Sequence, residues 1–390
     1  MEKTTGKVRF GIIGLGNMGH SHAENIYRGD IPDGVLTAAC DIKNERLVWA
    51  KEKIKGVRLF NNVTDMFKSG EIDAVIIAVP HYYHPQLAIE AFDYKLNVMC
   101  EKPAGVYTKQ VREMNEKAAK TNSVFAMMFN QRTNCVYRKM KEMMETGQLG
   151  NLRRSVWIIT DWYRSQFYYD SGDWRATWSG EGGGVLLNQC PHNLDLWQWI
   201  CGMPNKVRAF CNEGKWHNIE VEDDVTAYIT YPNGATGVFI TTTGDTPGTN
   251  RFEITGDLGK LVCEGRNKLL FYKNEMPEQE YSKTTREAFG RPRFEEIEVG
   301  TDGLNPQHNG VLTAFVNKIL GRGELIAAGE EGINGLTLSN AMHLSSWLDR
   351  TVSLPLDEDL FYLELQKKIK NSTFMKKSFS YIETNMSKTY

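Results

Sequence analysis

Two side chains able to move protons, Lys102 and His192, stand in segments whose surroundings favour catalysis. Lys102 lies in Glu101-Lys102-Pro103, directly after the apolar run Asn97-Val98-Met99-Cys100. Removing hydride from a secondary alcohol carbon requires the hydroxyl proton to leave in the same event. A base must stand by the oxygen, and a cation must steady the developing alkoxide. A lysine just past a strand's carboxyl end is where α/β cofactor sites gather. Partial burial beside a cofactor would lower its pKa toward a useful range. An arbitrary lysine would be a surface cation paired with Glu101. The strand-end place and Pro103 favour the catalytic role instead, with Glu101 orienting the lysine or touching the cofactor.

Asn188 precedes His192 by one helical turn, so the two would share a face in a regular helix. Pro191 disfavours helical geometry just before it. His192 is therefore expected in the first turn of a helix ending near Ile200. Taken alone, it is explained equally well as a core residue and as an acid or base. Upstream run Trp162-Tyr163-Arg164-Ser165-Gln166-Phe167-Tyr168-Tyr169, then Asp173-Trp174-Arg175 and Trp178. Sugar C–H faces pack on aromatics while hydroxyls seek Asp, Asn and Arg. Tyr163, Asp173, Trp174 and Arg175 are accordingly candidate substrate contacts. Aromatics and arginine equally enrich oligomer interfaces, and both uses hold if a neighbouring subunit closes the site.

A cofactor beside Lys102 is indicated by Gly14-Leu15-Gly16-Asn17-Met18-Gly19, between a strand-like Lys7–Ile13 and a helix through Arg28. Gly14 permits the tight turn, Gly16 lets backbone approach a pyrophosphate, and Gly19 allows close helix–strand packing. The helix start, at Asn17 and Met18, offers free N–H groups and partial positive charge. An isolated GxGxxG is often only a turn, but here strand, helix and acid come in order. That acid is Asp41, ending Val35–Cys40, where a carboxylate accepts bonds from the adenosine ribose and repels a 2′-phosphate. NAD is thus expected and NADP disfavoured. Lys43 and Arg46 lie close enough in sequence to soften that preference, but are more simply read as solvated helix-face charges.

The 390 residues suggest about two domains. Strand-like runs at 7–13, 35–40, 74–79, 97–100 and 124–128 alternate with helical stretches such as 85–94 and 109–120. That alternation predicts a doubly wound parallel Rossmann sheet over residues 1–128. Beyond it, residues 129–390 are expected to form an α/β domain for substrate binding and oligomerisation. Runs at 154–160, 207–211, 225–231, 236–243 and 251–254 are separated by turns such as Pro232-Asn233-Gly234, which predicts a large, mostly antiparallel open sheet. A helix is expected from Gly332 to Arg350, then a solvated tail from Lys367 to Tyr390. A net charge of −2 gives no case for nucleic acid. No apolar run approaches the ~18 residues of a membrane span. Met1 to Gly6 lack a signal-peptide pattern. Seven scattered cysteines without CxxC spacing suggest reduced thiols, no structural zinc and a cytoplasmic location.

The chain resembles the glucose–fructose oxidoreductase / inositol dehydrogenase (Gfo/Idh/MocA) family. The resemblance is carried by Val79-Pro80-His81-Tyr82-Tyr83-His84, Glu101-Lys102-Pro103, Asn130-Gln131-Arg132, and Gly182-Gly183-Gly184 followed by His192 and Asp195. It implies a Rossmann domain, a mostly antiparallel α/β domain and chemistry on sugars or cyclic polyols by a homodimer or homotetramer. It also implies Lys102 and His192 as catalytic residues, and Pro80, His84, Glu101, Lys102 and Asn130 as cofactor contacts. The run from Tyr169 to Arg175 and on to His192 is similar to dehydrogenases that oxidise the 3-hydroxyl of glucosides and anhydrosugars. Many members place aspartate where this chain has Asn188. Asparagine can orient the ring or hold a hydroxyl but cannot stabilise an imidazolium by charge, which shifts the acid/base role toward Lys102.

His81 and His84 have loose metal spacing without an accompanying Cys, Asp or Glu cluster, and His84 is expected to contact backbone or cofactor. His217 lies near Glu220, Glu222, Asp223 and Asp224 on what is most simply a strand-edge turn, and nothing marks Cys190 as an activated thiolate. No metal is expected. Three function classes follow. One is an NAD-linked dehydrogenase of a sugar, glycoside, anhydrosugar or inositol. Another is a redox-neutral glycosidase or lyase working through a transient keto-sugar. The last is a non-catalytic NAD-dependent sensor, against which the presence of both Lys102 and His192 speaks.

Overall fold

Apart from Arg9, which pairs with Asp73, Val8–Ile13 is apolar and buried, as a central strand covered on both faces must be. A computed structural model describes residues 6–375, and in it this run is β1 of a six-stranded sheet. The alternation continues as α1 (Asn17–Tyr27), β2 (Gly34–Cys40), α2 (Asn44–Lys53), β3 (Arg58–Phe60), α3 (Val63–Lys68), β4 (Ala74–Ile77), α4 (His84–Asp93), β5 (Asn97–Cys100), α5 (Thr108–Ala118) and β6 (Phe125–Met127). All neighbours are parallel, in the order β3-β2-β1-β4-β5-β6. The order reverses at β1, whose neighbours are β2 and β4, so the crevice at their carboxyl ends is the switch point where ligands bind in such sheets. One strand more is present than the pattern suggested, because β3 has only three residues and shows no alternation.

One face of this sheet is closed by a segment from far along the chain. Helix α6 (Cys135–Glu145), strand β7 (Leu152–Ile159), α7 (Gln166–Asp170) and α8 (Pro191–Cys201) follow the Rossmann layer. Next come β8 (Lys206–Glu213), β9 (Glu222–Thr230), β10 (Thr236–Thr242), β11 (Asn250–Gly256), β12 (Gly259–Glu264), β13 (Lys268–Asn274), α9 (Glu278–Thr284) and β14 (Phe294–Glu298). Then α10 (Gln307–Ile319) returns to lay Val311, Leu312, Phe315 and Val316 on Phe10 and Ile12 of β1. Ala328 bridges Ala126 beside it.

The second sheet runs β14-β13-β12-β11-β7-β10-β9-β8-β15, with β15 at Val352–Ser353. Its pairings are antiparallel except β7 with β10. Strands β12 to β14 lie outside the runs recognised in the sequence. Its inner face buries Trp157 stacked on Phe252 (centroids 4.3 Å apart) and Trp197 on Phe239 (5.3 Å); each such side chain contributes roughly 1.5–3 kcal/mol by burial. Helix α11 (Gly332–Trp347) packs on β8 and α8, and α12 (Glu358–Lys370) on α11. The expected tail from Lys367 thus begins inside α12, and its part from residue 376 on lies outside the described residues. No helix among the described residues is long and apolar enough to cross a membrane.

The two layers are tied by Arg132, in the 3-10 turn after β6. Its buried guanidinium grips the Asp195 carboxylate of α8 at 2.8 and 2.7 Å and reaches Glu331 ahead of α11. Burial raises the Asp195 pKa and opposes this pair, while the Arg132 charge and hydrogen bonds pull it back. The helix that carries His192 is thereby fixed to the nucleotide layer.

Candidate active site

The glycine loop after β1 is shaped for a close ligand. Gly14 has φ +87°, and a Cβ there would lie 2.4 Å from the Ala78 carbonyl oxygen. At Gly19 it would lie 1.8 Å from the Gly14 oxygen, so Gly19 serves strand–helix packing while Gly14 lets the loop pass close to the chain leaving β4. Gly16 differs: a Cβ there would meet only an Arg46 nitrogen, at 4.0 Å, leaving its backbone open toward the crevice. Helix α1, beginning at Asn17 and Met18, has no side-chain cap, so its amino end can face an anion. Asp41 accepts the Leu15 N–H at 2.7 Å and the Lys43 N–H at 2.8 Å, and pairs with Arg46 at 3.2 Å. Arg46 is therefore a partner of the Asp41 carboxylate, a correction to its reading as a solvated helix charge. Lys43 reaches Asp173 at 3.6 Å.

Glu101 and Lys102 end β5 beside this cradle. Glu101 accepts from its neighbour's backbone N–H at 3.1 Å and meets His22 of α1 at 2.7 Å. Burial pushes this carboxyl up, but the His22 hydrogen bond and charge, with His308 and Lys102, hold it down at about 2. Lys102 Nζ donates to the Asn188 carbonyl at 3.1 Å. Burial drives the lysine pKa below its ordinary value; Glu101 opposes this, while Arg175 and Arg164 add to it. His84 is in the wall of this corner. Its ring nitrogens lie 2.7 Å from the Pro103 and Val79 carbonyls, so of the two expected contacts, backbone or cofactor, the ring makes the backbone one. Pro80 directly follows Val79, three residues past the end of β4. Asn130 is fully buried, bonds Gln307 through Nδ2, and leaves Oδ1 without a partner. An orphaned acceptor beside the lysine loop suits a carboxamide donor.

The opposite wall is built by the long segment between β7 and β8. His192 lies in the first turn of α8, is 2% exposed and meets Phe129 edge-on. Burial, reinforced by the Lys102 charge, holds its pKa well below the ordinary value, so it works as neutral imidazole. Asn188 donates through Nδ2 to Tyr168 Oη at 3.2 Å and to the Glu181 carboxylate. Glu181 is buried, accepts the Ala176 N–H at 2.6 Å and lies 3.9 Å from Arg175. Arg175 stacks on Tyr168 and Trp174 and donates to Tyr168 Oη at 2.6 Å. Trp174 meets His81 edge-on at 5.1 Å.

Lys102, Asn188 and His192 therefore come together, with Arg175 joined to them through Tyr168 and Trp174 through Arg175. Tyr163 and Asp173 do not join this cluster. Tyr163 is half exposed, and Asp173 turns to Lys43. Glu181, Tyr168 and His22 are members that sequence reasoning did not select. Glu181 directly precedes the glycine triplet, and His22 follows Gly19 by one helical turn; those positions were the available signals. His217 pairs with Asp223 at 2.9 Å, and Cys190, raised to about 12 chiefly by burial, is no thiolate. Among the described residues no three His, Cys, Asp or Glu are grouped to hold a metal.

Comparison with known proteins agrees with this geometry. The model of an oxidoreductase family with an NAD-binding Rossmann fold (GFO_IDH_MocA) matches residues 8–129, and that of the GFO/IDH/MocA C-terminal domain matches residues 137–262. The myo-inositol 2-dehydrogenase of Thermotoga maritima is 27% identical over 267 residues, 66% of this chain and 75% of that enzyme. The D-glucoside 3-dehydrogenase of Escherichia coli is 26% identical over 250 residues, 59% of this chain and 69% of that enzyme. The WlbA dehydrogenase of Chromobacterium violaceum, solved with NADH and UDP-GlcNAcA, superposes with a TM-score of 0.78 at 28% identity, covering 91% of this chain and 98% of that one. Residues 8–129 thus form an NAD-binding Rossmann domain.

Proposed function

The chain belongs to the GFO/IDH/MocA oxidoreductase family, and we propose that it moves hydride between NAD and a secondary hydroxyl of a sugar, glycoside, anhydrosugar or inositol. The observation that carries this reading is the buried Lys102 amine, anchored to the Asn188 carbonyl beside the nucleotide cradle and facing the layer that holds His192. NAD, when bound, supplies the hydride acceptor. In the oxidative direction Lys102 in its neutral form takes the hydroxyl proton. Its bond to the Asn188 carbonyl fixes the direction of its remaining donors and lone pair. His192, neutral by burial, holds the same oxygen by a hydrogen bond, and Asn188 positions both groups while Glu181 fixes its amide. C3 of a glucoside-like ring is the position we favour, supported by the likeness to the Escherichia coli enzyme.

The same reading has the chain act in the cytoplasm as a homodimer or homotetramer. All seven cysteines are free thiols. The outer face of the second sheet presents Phe210, Tyr228, Val238 and Ile240, a patch suited to a second copy. The test is nicotinamide absorbance with purified protein, NAD or NADP, and a panel of monosaccharides, glucosides, anhydrosugars and inositols. Steady NADH formation with one class is the expected result. Consumption of a sugar without net NADH would overturn it in favour of redox-neutral chemistry.

A further inference from the structure

Arg164 lies in the same wall, packed on aromatic rings and with part of its guanidinium left without a hydrogen-bond partner. Its guanidinium sits over the Trp162 and Tyr168 rings at 5.5 and 5.2 Å. Nη1 donates to the Tyr163 carbonyl at 2.9 Å, Nε is buried without a hydrogen-bond partner, and no carboxylate pairs with it among the described residues. A guanidinium with one nitrogen occupied keeps its other edge, Nε and Nη2, as the parallel fork that matches a carboxylate or phosphate. Leaving a buried donor unmet is costly, so the fork has reason to be filled.

The backbone of Arg164 is clamped. Its N–H donates to the Thr243 carbonyl at 2.9 Å, and its carbonyl takes His217 Nε2 at 2.8 Å. His217 is itself held by the fully buried Asp223, which also accepts the N–H groups of Lys215, Trp216 and His217. The His217–Asp223 pair thus serves to hold Arg164 in place.

A chain of contacts joins Arg164 to the reacting centre. The Tyr168 ring it covers carries the hydroxyl that Asn188 and Arg175 donate to, and the Asn188 carbonyl receives Lys102. Even with Lys102 neutral, Arg164 and Arg175 outnumber Glu181, the buried carboxylate 3.9 Å from Arg175. We propose that this cationic excess reads an anionic group on the substrate, with the Nε/Nη2 edge of Arg164 as its principal contact and Arg175 beside it. The substrate class is then a sugar bearing a carboxylate or a phosphate rather than a neutral polyol. The chemistry rests on the dehydrogenase reading; the binding does not.

The test titrates NADH-loaded protein with D-glucuronate, D-glucose 6-phosphate, D-glucose and myo-inositol, followed by calorimetry. One of the anions is expected to bind about 10- to 100-fold more tightly than glucose, the scale of one or two charge-assisted hydrogen bonds. In Arg164→Gln that preference should fall toward one. Arg164→Lys, which keeps the charge without the fork, should fall between, and thermal melts check that both variants fold. Preference for glucuronate names a carboxylate, and preference for the phosphate ester a phosphate. Equal affinity for neutral sugars, no binding of either anion, or an anion preference that survives Arg164→Gln would overturn the proposal. If neutral sugars alone yield NADH, the dehydrogenase reading stands and this inference falls. If Arg164-dependent anion binding appears while no sugar yields NADH, the inference stands and the dehydrogenase reading falls.

Discussion

The two walls of the site hold their working groups by different means. On the nucleotide side, backbone geometry does the positioning: strand β5 delivers Lys102 to the switch point, and Gly19 brings α1 against β1. On the opposite side, side chains hold one another. Tyr168, Glu181, Asn188 and Arg175 form a closed set of contacts, and only α8 supplies regular structure. A wall of the first kind tolerates side-chain change except at the reacting group. A wall of the second kind spreads each loss over its neighbours.

Substitutions can break that contrast, in decreasing order of effect. Lys102→Ala should lower kcat by about 10³- to 10⁴-fold, the span of general acid–base and charge stabilisation, with NAD affinity kept, as steady-state rates and nucleotide fluorescence would report. Arg132→Ala strikes the joint between the walls. Because it leaves Asp195 buried and unpaired, it should cost roughly 3–5 kcal/mol of stability in denaturant unfolding. Glu181→Gln keeps the shape but removes the charge under Asn188 and Arg175, and about a tenfold fall in kcat/KM is expected, shared between kcat and KM. Asp41→Ala should shift the NAD-to-NADP preference by about tenfold, the smallest effect, since Arg46 is then freed toward a 2′-phosphate.

The same contrast governs what was legible in the sequence. The glycine loop, Asp41 and Lys102 are local signals, each a residue type at a fixed offset from a strand, and β1, β2, β4 and β5 were visible as apolar runs. The start of α8 at Pro191 was legible for the same reason. Glu181 was not, because its role comes from meeting residues of α7 and the turn before α8, which no spacing expresses. His84 resembled a cofactor contact by position, yet its bonds to Val79 and Pro103 depend on a tertiary approach of two loops. The docking of α10 on the first sheet likewise depends on chain return, and β12 to β14 went unrecognised although the turn Gly256-Asp257-Leu258-Gly259 marks the start of β12.

The central claim is that a neutral Lys102, rather than His192, takes the proton. It is tested most directly by the pH dependence of single-turnover hydride transfer in the wild-type enzyme and in Lys102→Arg. Burial lowers the lysine's pKa, so its neutral fraction, and with it the oxidation rate, should rise with pH through an inflection below the ordinary lysine value of about 10.4. Reduction should fall over the same range. In Lys102→Arg the inflection should vanish together with most of the rate. An inflection that persists in Lys102→Arg and disappears in His192→Ala would contradict the claim and make the histidine the base.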